Sequence, residues 1–175
     1  MNVRVNRAGL LTTVQDSGRW RYQARGVSVA GPMDSYSHRL ANVIVGNDER
    51  AATLEVTVTG PELEFFDDRR VAVTGAEFEM SIGGRPTMLN ENALVKAGER
   101  LVFGRRVRGA RAYVAISGGI ETPPVLGSRA THLPSAMGGV EGRALKAGDE
   151  LPLGPPKGGH YISGPGNPAI CSVRL

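Results

Sequence analysis

Cysteine is nearly missing from this 175-residue chain, where Cys171 stands alone. A single thiol excludes an intrachain disulfide framework and an all-cysteine zinc site, and it points to a reducing, cytoplasmic setting. Aromatic residues make up 5% of the sequence, too few for the stacking platforms that hold single-stranded nucleic acid. Lysine is scarce too: 3 Lys against 18 Arg, with a net charge of +4. The arginines are spread along the chain. Their one dense group, Arg105, Arg106, Arg108 and Arg111, reads as a solvated hairpin rim rather than a nucleic-acid face. No run approaches the ~20 apolar residues of a membrane span. The opening M-N-V-R-V-N lacks the apolar stretch of a signal peptide. Neither a nucleic acid nor a membrane is expected as a partner.

What is abundant is glycine and proline, 24 and 11 residues. They argue against a helical bundle and for short elements joined by turns. Val3 and Val5, then Leu54, Val56 and Val58, then Phe78, Met80 and Ile82 alternate with polar neighbours, the period of half-buried strands. Ala112–Ile116, apolar on both faces, reads as a covered central strand. One helix is predicted near 34–45, with Asp34 as N-cap, Leu40, Val43 and Ile44 on its apolar face and Gly46 beyond its end. Residues 94–104 and 144–154 echo one another around Lys-Ala-Gly turns 50 positions apart. From Gly154 a Gly/Pro-rich stretch reads as a linker, and 169–175 as a terminal strand. The expected class is mainly β, a barrel with one main helix: 1–154 form the β-barrel domain, and 155–175 form a linker and strand that lead to a second half.

Few motifs carry chemistry. There is no G-x-x-x-x-G-K-[ST] phosphate loop and no G-x-S-x-G elbow. His38, His132 and His160 lack metal-ligand spacing, so no metal site is expected. The densest polar-and-glycine segment is 12–34, with Gln15, Asp16, Arg19, Arg21, Arg25 and Asp34 among Gly18, Gly26 and Gly31. Amides, carboxylates and arginines on a glycine-jointed loop suit ligand binding, and they equally suit a structural loop with internal Asp–Arg pairing.

T-V-Q-D-S-G-R, R-G-V-S-V-A-G-P-M-D and R-L-A-N-V-I-V-G-N-D resemble, in order, the start of the allophanate-hydrolase subunit 2 family. That family is also described as biotin-dependent carboxyltransferase-like, as the C component of 5-oxoprolinase, and as the carboxyltransferase region of urea amidolyase. L-E-V-T-V-T-G-P-E-L, R-A-Y-V-A-I-S-G-G-I, P-P-V-L-G-S-R and G-G-V-E-G-R-A-L-K-A-G-D extend the resemblance over residues 10–154. The sequence departs from the family pattern at Ser17, Trp20, Arg21, His132 and Met137, and corresponds to the N-terminal half.

The resemblance implies a cyclophilin-like β-barrel. It also implies a subunit of an ATP-dependent 5-oxoprolinase, which opens 5-oxoproline to glutamate together with a subunit 1 homologue and a third, lactam-hydrolysing subunit. The alternatives are a carboxyltransferase component of a urea carboxylase system, or a regulatory antagonist of a kinase-inhibitor subunit 1 homologue. ATP would belong to the assembly, and biotin would come only from a separate carrier. Side-chain chemistry suggests Gln15 and Asp16 as partners of a small amide or ureido substrate, and Arg19 as the holder of a carboxylate or the polariser of a carbonyl. Gly26, Gly31, Met33, Asp34, Ser128 and Arg129 are the expected binding residues around them.

Overall fold

The computed structural model describes residues 2–156. The terminal strand expected at 169–175 lies outside them. Among the described residues, nine strands form one antiparallel sheet. They are β1 (Asn2–Arg7), β2 (Leu11–Gln15), β3 (Thr53–Thr57), β4 (Glu62–Phe65), β5 (Arg69–Ile82), β6 (Arg85–Thr87), β7 (Ala93–Val95), β8 (Arg100–Ile116) and β9 (Glu150–Pro152). The path runs β2-β3-β8-β4-β1-β9, with β5 along the other side of β8. The sheet can curl because β8 is 17 residues long and changes partners: its start pairs with β4 and its end with β3. β5 follows it throughout, with register shifts between Gly75 and Met80 that bend the ribbon. The result is the expected mainly-β architecture, a half-barrel with a single α-helix among the described residues.

Alternation assigns the two faces. Val71, Val73, Ala112, Val114 and Ile116 point into the large core with Val3, Val5, Leu54, Val56, Phe65 and Leu101. Ala72, Tyr113 and Ala115, one position out of phase, point the other way, onto α1 (Ser35–Ile44). Both faces of Ala112–Ile116 are therefore covered, as its unbroken apolar run implies. Val58 leaves the alternation. Its φ is 63°, β3 has ended at Thr57, and the side chain is exposed. The arginines expected on a solvated hairpin rim, Arg105–Arg111, lie mid-way along β8 opposite β5 and are mostly solvated.

The helix begins where Asp34 accepts bonds from the Ser37 backbone N–H at 3.0 Å and its hydroxyl at 2.6 Å. Its packed face differs from the expected one. Ala41 and Ile44 are buried together with Ser37 and His38, while Leu40 and Val43 are only partly covered. The small Ser37 and Ala41 let the helix approach the sheet closely, and Thr74 Oγ1 donates to Ser37 O at 2.7 Å.

The two Lys-Ala-Gly echoes turn out to be the same turn in space. Lys96 N and Lys146 N donate to the acid three residues on, Glu99 at 2.9 Å and Asp149 at 2.8 Å. Gly98 and Gly148 have φ of 82° and 92°, a region glycine adopts freely. Gly98 N donates to Phe65 O at 2.7 Å and Gly148 N to Val5 O at 2.8 Å. Each turn thus pins one of two adjacent strands, β4 or β1, and feeds the strand that pairs with it, β8 or β9.

Candidate functional site

Strand β2 delivers Gln15 and Asp16 to one end of the sheet, where three loops meet. Gln15 is spent internally: its amide donates to Thr13 Oγ1 (3.0 Å) and Thr131 O (3.1 Å), and its oxygen accepts from Gly31 N (3.2 Å). That set uses both amide hydrogens, so Gln15 ties the 31 and 131 loops to the end of β2. Asp16 is the junction of the other loops. Its carboxylate accepts from Gly18 N at 2.9 Å, Ser128 Oγ at 2.6 Å and Arg129 N at 2.6 Å. No arginine side chain forms an ion pair with it among the described residues, so the Asp–Arg pairing considered from sequence is not how this loop is held.

Beside this junction opens a cleft of about 910 Å³, walled by Asp16, Trp20, His38, Arg39, Glu49, Arg50 and Arg129, among others. Arg39 is held by Glu49 at 2.7 Å and Arg129 by Glu121 at 2.6 Å. Arg50 has no ion-pair partner among the described residues. His38 is 1% exposed, and its Nδ1 lies 2.8 Å from Thr53 Oγ1. The Thr53 hydroxyl has a carbonyl to donate to, Gln15 O at 3.5 Å. The assignment that satisfies both groups puts the proton on Nδ1 and leaves Nε2 as a bare acceptor. Nε2 is buried without a partner. Burial pushes the imidazole down to about 4, with Arg39 adding to the effect and Asp16 opposing it. The ring is therefore neutral near pH 7. It can accept a hydrogen bond from an N–H or O–H and contributes no positive charge.

The remaining expected residues lie apart from this cleft. Arg19 and Gly26 line a separate small cavity. Met33 and Asp34 border a third depression, with Glu77, Arg108 and Arg111. There Glu55 accepts from Met33 N at 2.8 Å and from Tyr113 Oη at 2.7 Å, and Tyr113 Oη accepts from Asp34 N at 2.7 Å. Burial, together with Glu55, raises the Tyr113 phenol, so it stays a neutral connector. The 15–34 segment is thus divided among three surfaces. Trp20, His38, Arg39, Glu49 and Arg50 were missed. His38 had one usable signal, a polar ring on the face of the helix that turns toward the sheet.

Residues 25–167 match the carboxyltransferase domain, subdomain A and B. The chain belongs to that family. The C component of the 5-oxoprolinase from Escherichia coli (strain K12) is 43% identical over 155 residues, 89% of this chain and 50% of that protein. A urea amidolyase from Lachancea kluyveri is 44% identical over 154 residues, 87% of this chain and 8% of that protein. Among solved structures, the K. lactis urea amidolyase superposes with a TM-score of 0.84 at 44% identity, covering 87% of this chain and 9% of that one. As a carboxyltransferase-family domain, the chain spans about half the length of the Escherichia coli relative and a small part of the amidolyases.

Proposed function

We propose that this chain forms one wall of a small-molecule site in a cytoplasmic, heteromeric 5-oxoprolinase, closed by a subunit 1 homologue and acting with a third, lactam-hydrolysing subunit. The observation that carries the reading is the His38 cleft. A buried neutral histidine with an unpartnered acceptor nitrogen and an Arg50 guanidinium without an ion pair among the described residues, both on the wall of one cleft, suit an amide or ureido group, which offers N–H and C=O together. Asp16 acts as a positioning residue: by holding Gly18, Ser128 and Arg129 it fixes both rims of the cleft. ATP belongs to the assembly on this reading. The α-helix start near the cleft is capped by the Asp34 carboxylate, which occupies the place a phosphate would take. The likeness to urea amidolyase supports a second reading, transfer of a carboxyl group to urea, with biotin carried by another domain.

The test is co-expression of the chain with a subunit 1 homologue and a lactam-hydrolysing subunit. Co-purification and ATP-dependent release of glutamate from 5-oxoproline are expected. Consumption of urea with bicarbonate and a biotinylated carrier instead would select the second reading. Absence of both association and turnover would reject the two together.

A further inference from the structure

Arg19 is a buried cation without a counter-ion. It is 1% exposed, and no carboxylate among the described residues forms an ion pair with it. Its protein partners are main-chain carbonyls: Nη2 donates to Ala130 O, and Nε reaches Val125 O at 3.5 Å. Nη1 is buried and has no partner. A desolvated guanidinium is destabilising unless an anion compensates it, and carbonyl dipoles supply only part of that compensation.

The same side chain lines a cavity of about 140 Å³, distinct from the His38 cleft, together with Val27, Ser28, His132, Ser135 and Met137. None of its lining residues is acidic. Ser135 Oγ and His132 Nδ1 are bonded to each other at 2.7 Å, which fixes two further polar groups on the wall. Ser28 and Ser135 are exposed and Arg19 is buried, so the cavity runs from a serine-lined mouth to the buried arginine. Arg19 and Trp20 alternate across the segment: the first lines this cavity and the second lines the cleft.

We propose that this cavity is a binding site for a small carboxylate, whose oxygens meet Arg19 Nη1 at the buried end and a serine hydroxyl nearer the mouth. The volume suits a short carboxylic acid rather than a nucleotide. The free Nη1 donor is satisfied by a carboxylate oxygen, whose charge also compensates the buried guanidinium, whereas a neutral isostere leaves that charge uncompensated.

The experiment is an NMR titration of the full chain, with ¹⁵N-labelled arginine side chains, against acetate and 5-oxoproline. Two controls are run alongside: 2-pyrrolidinone, the same lactam without its carboxylate, and sodium chloride at equal ionic strength. Saturable shifts of the Arg19 signals with both carboxylates and with neither control are expected. Arg19→Lys should weaken binding by about tenfold or more, because the fixed Nη1 donor is lost while the charge remains. Ser135→Ala should weaken it by about three- to tenfold, the effect of one hydrogen bond. Equal response to 2-pyrrolidinone or chloride, or no saturable response of the wild-type chain to either carboxylate, would overturn the site. Neither result depends on which assembly the His38 cleft serves.

Discussion

Arg19 and Arg69 are buried to the same depth, 1% exposed, at two regions built in different ways. Arg69 sits where β5 begins. Its Nε donates to Asp67 at 2.7 Å, and Nη1 donates to Ser117 O and Gly154 O, each at 2.7 Å. It ties three chain segments together and carries its own counter-charge. Arg19 sits in the loop layer beyond β2, with carbonyl partners and an unpartnered Nη1. Burial alone does not distinguish a clamp from a binding group. The accompanying acid and the count of satisfied donors do.

The largest expected effect tests that contrast directly. Arg69→Met removes an ion pair and leaves two buried carbonyls without their donor, and should cost about 4 kcal/mol. Arg19→Met loses carbonyl bonds but also removes an uncompensated charge, so the two changes offset and the loss should stay under about 1 kcal/mol. Urea denaturation of both variants, with midpoints compared at unchanged m-value, reads the difference. Equal losses would mean that Arg19 is a clamp like Arg69.

The second effect concerns pH and separates the cleft from the sheet. Folded His38 titrates at about 4, below its ordinary 6.5. Above pH 6.5 both states are neutral there and the burial carries no proton penalty. As pH falls from about 6.5 toward 4, the unfolded chain takes up a proton that the folded chain refuses, and stability declines by an amount on the order of 2–3 kcal/mol. His38→Asn should flatten that part of the curve, measured by denaturant midpoints between pH 7 and 4. An identical slope in the variant would mean that the ring is not held neutral by its site.

The sheet was legible in the sequence because period-two alternation is a local signal: Val3, Val5, Phe78, Met80 and Ile82 are all buried as their spacing demands. Asp34 and the helix behind it were legible for the same reason, a cap followed by a short periodic run. The face of that helix was not. Leu40 and Val43 are more apolar than Ser37 and Ala41, but close approach to the sheet rewards small side chains over greasy ones. The site was legible only as a segment. Which of Gln15, Asp16 and Arg19 spends its polar groups inside the protein depends on loops more than 100 residues away, at Ser128, Ala130 and Thr131. His38 escaped notice because a lone histidine without ligand spacing shows nothing of its orphaned nitrogen until Thr53 is placed beside it.

A third, smaller effect probes the junction between regions. Asp16→Asn keeps the shape but turns an amide N–H₂ toward at least one of three donors, Gly18 N, Ser128 Oγ or Arg129 N. The loss should be about 2 kcal/mol. Hydrogen exchange of the Gly18 and Arg129 amides should rise, while that of β5 and β8 stays as it was. A uniform rise across the sheet would show that the loop layer and the half-barrel unfold as one unit, removing the distinction drawn between them.

The smallest effect isolates the helix that carries His38. Burial pushes the Asp34 carboxyl up, but the bonds from the Ser37 hydroxyl and from the Ser37 and Tyr36 N–H groups outweigh it and hold the group below its ordinary 3.8. A carboxyl lowered in this way stabilises the fold above its unfolded pKa, and the contribution fades as pH falls through the lower folded value. Asp34→Ala should cost about 1 kcal/mol at pH 7, the ordinary worth of an N-cap. The gap to wild type should narrow as pH falls through the lowered folded value. Asp34→Asn, which can still accept from Ser37 N, should recover most of the loss at pH 7 and show no such narrowing. If the Asn variant is as unstable as the Ala variant, the charge of Asp34 rather than its hydrogen bond holds the helix start. The cleft wall would then depend on electrostatics that salt should screen.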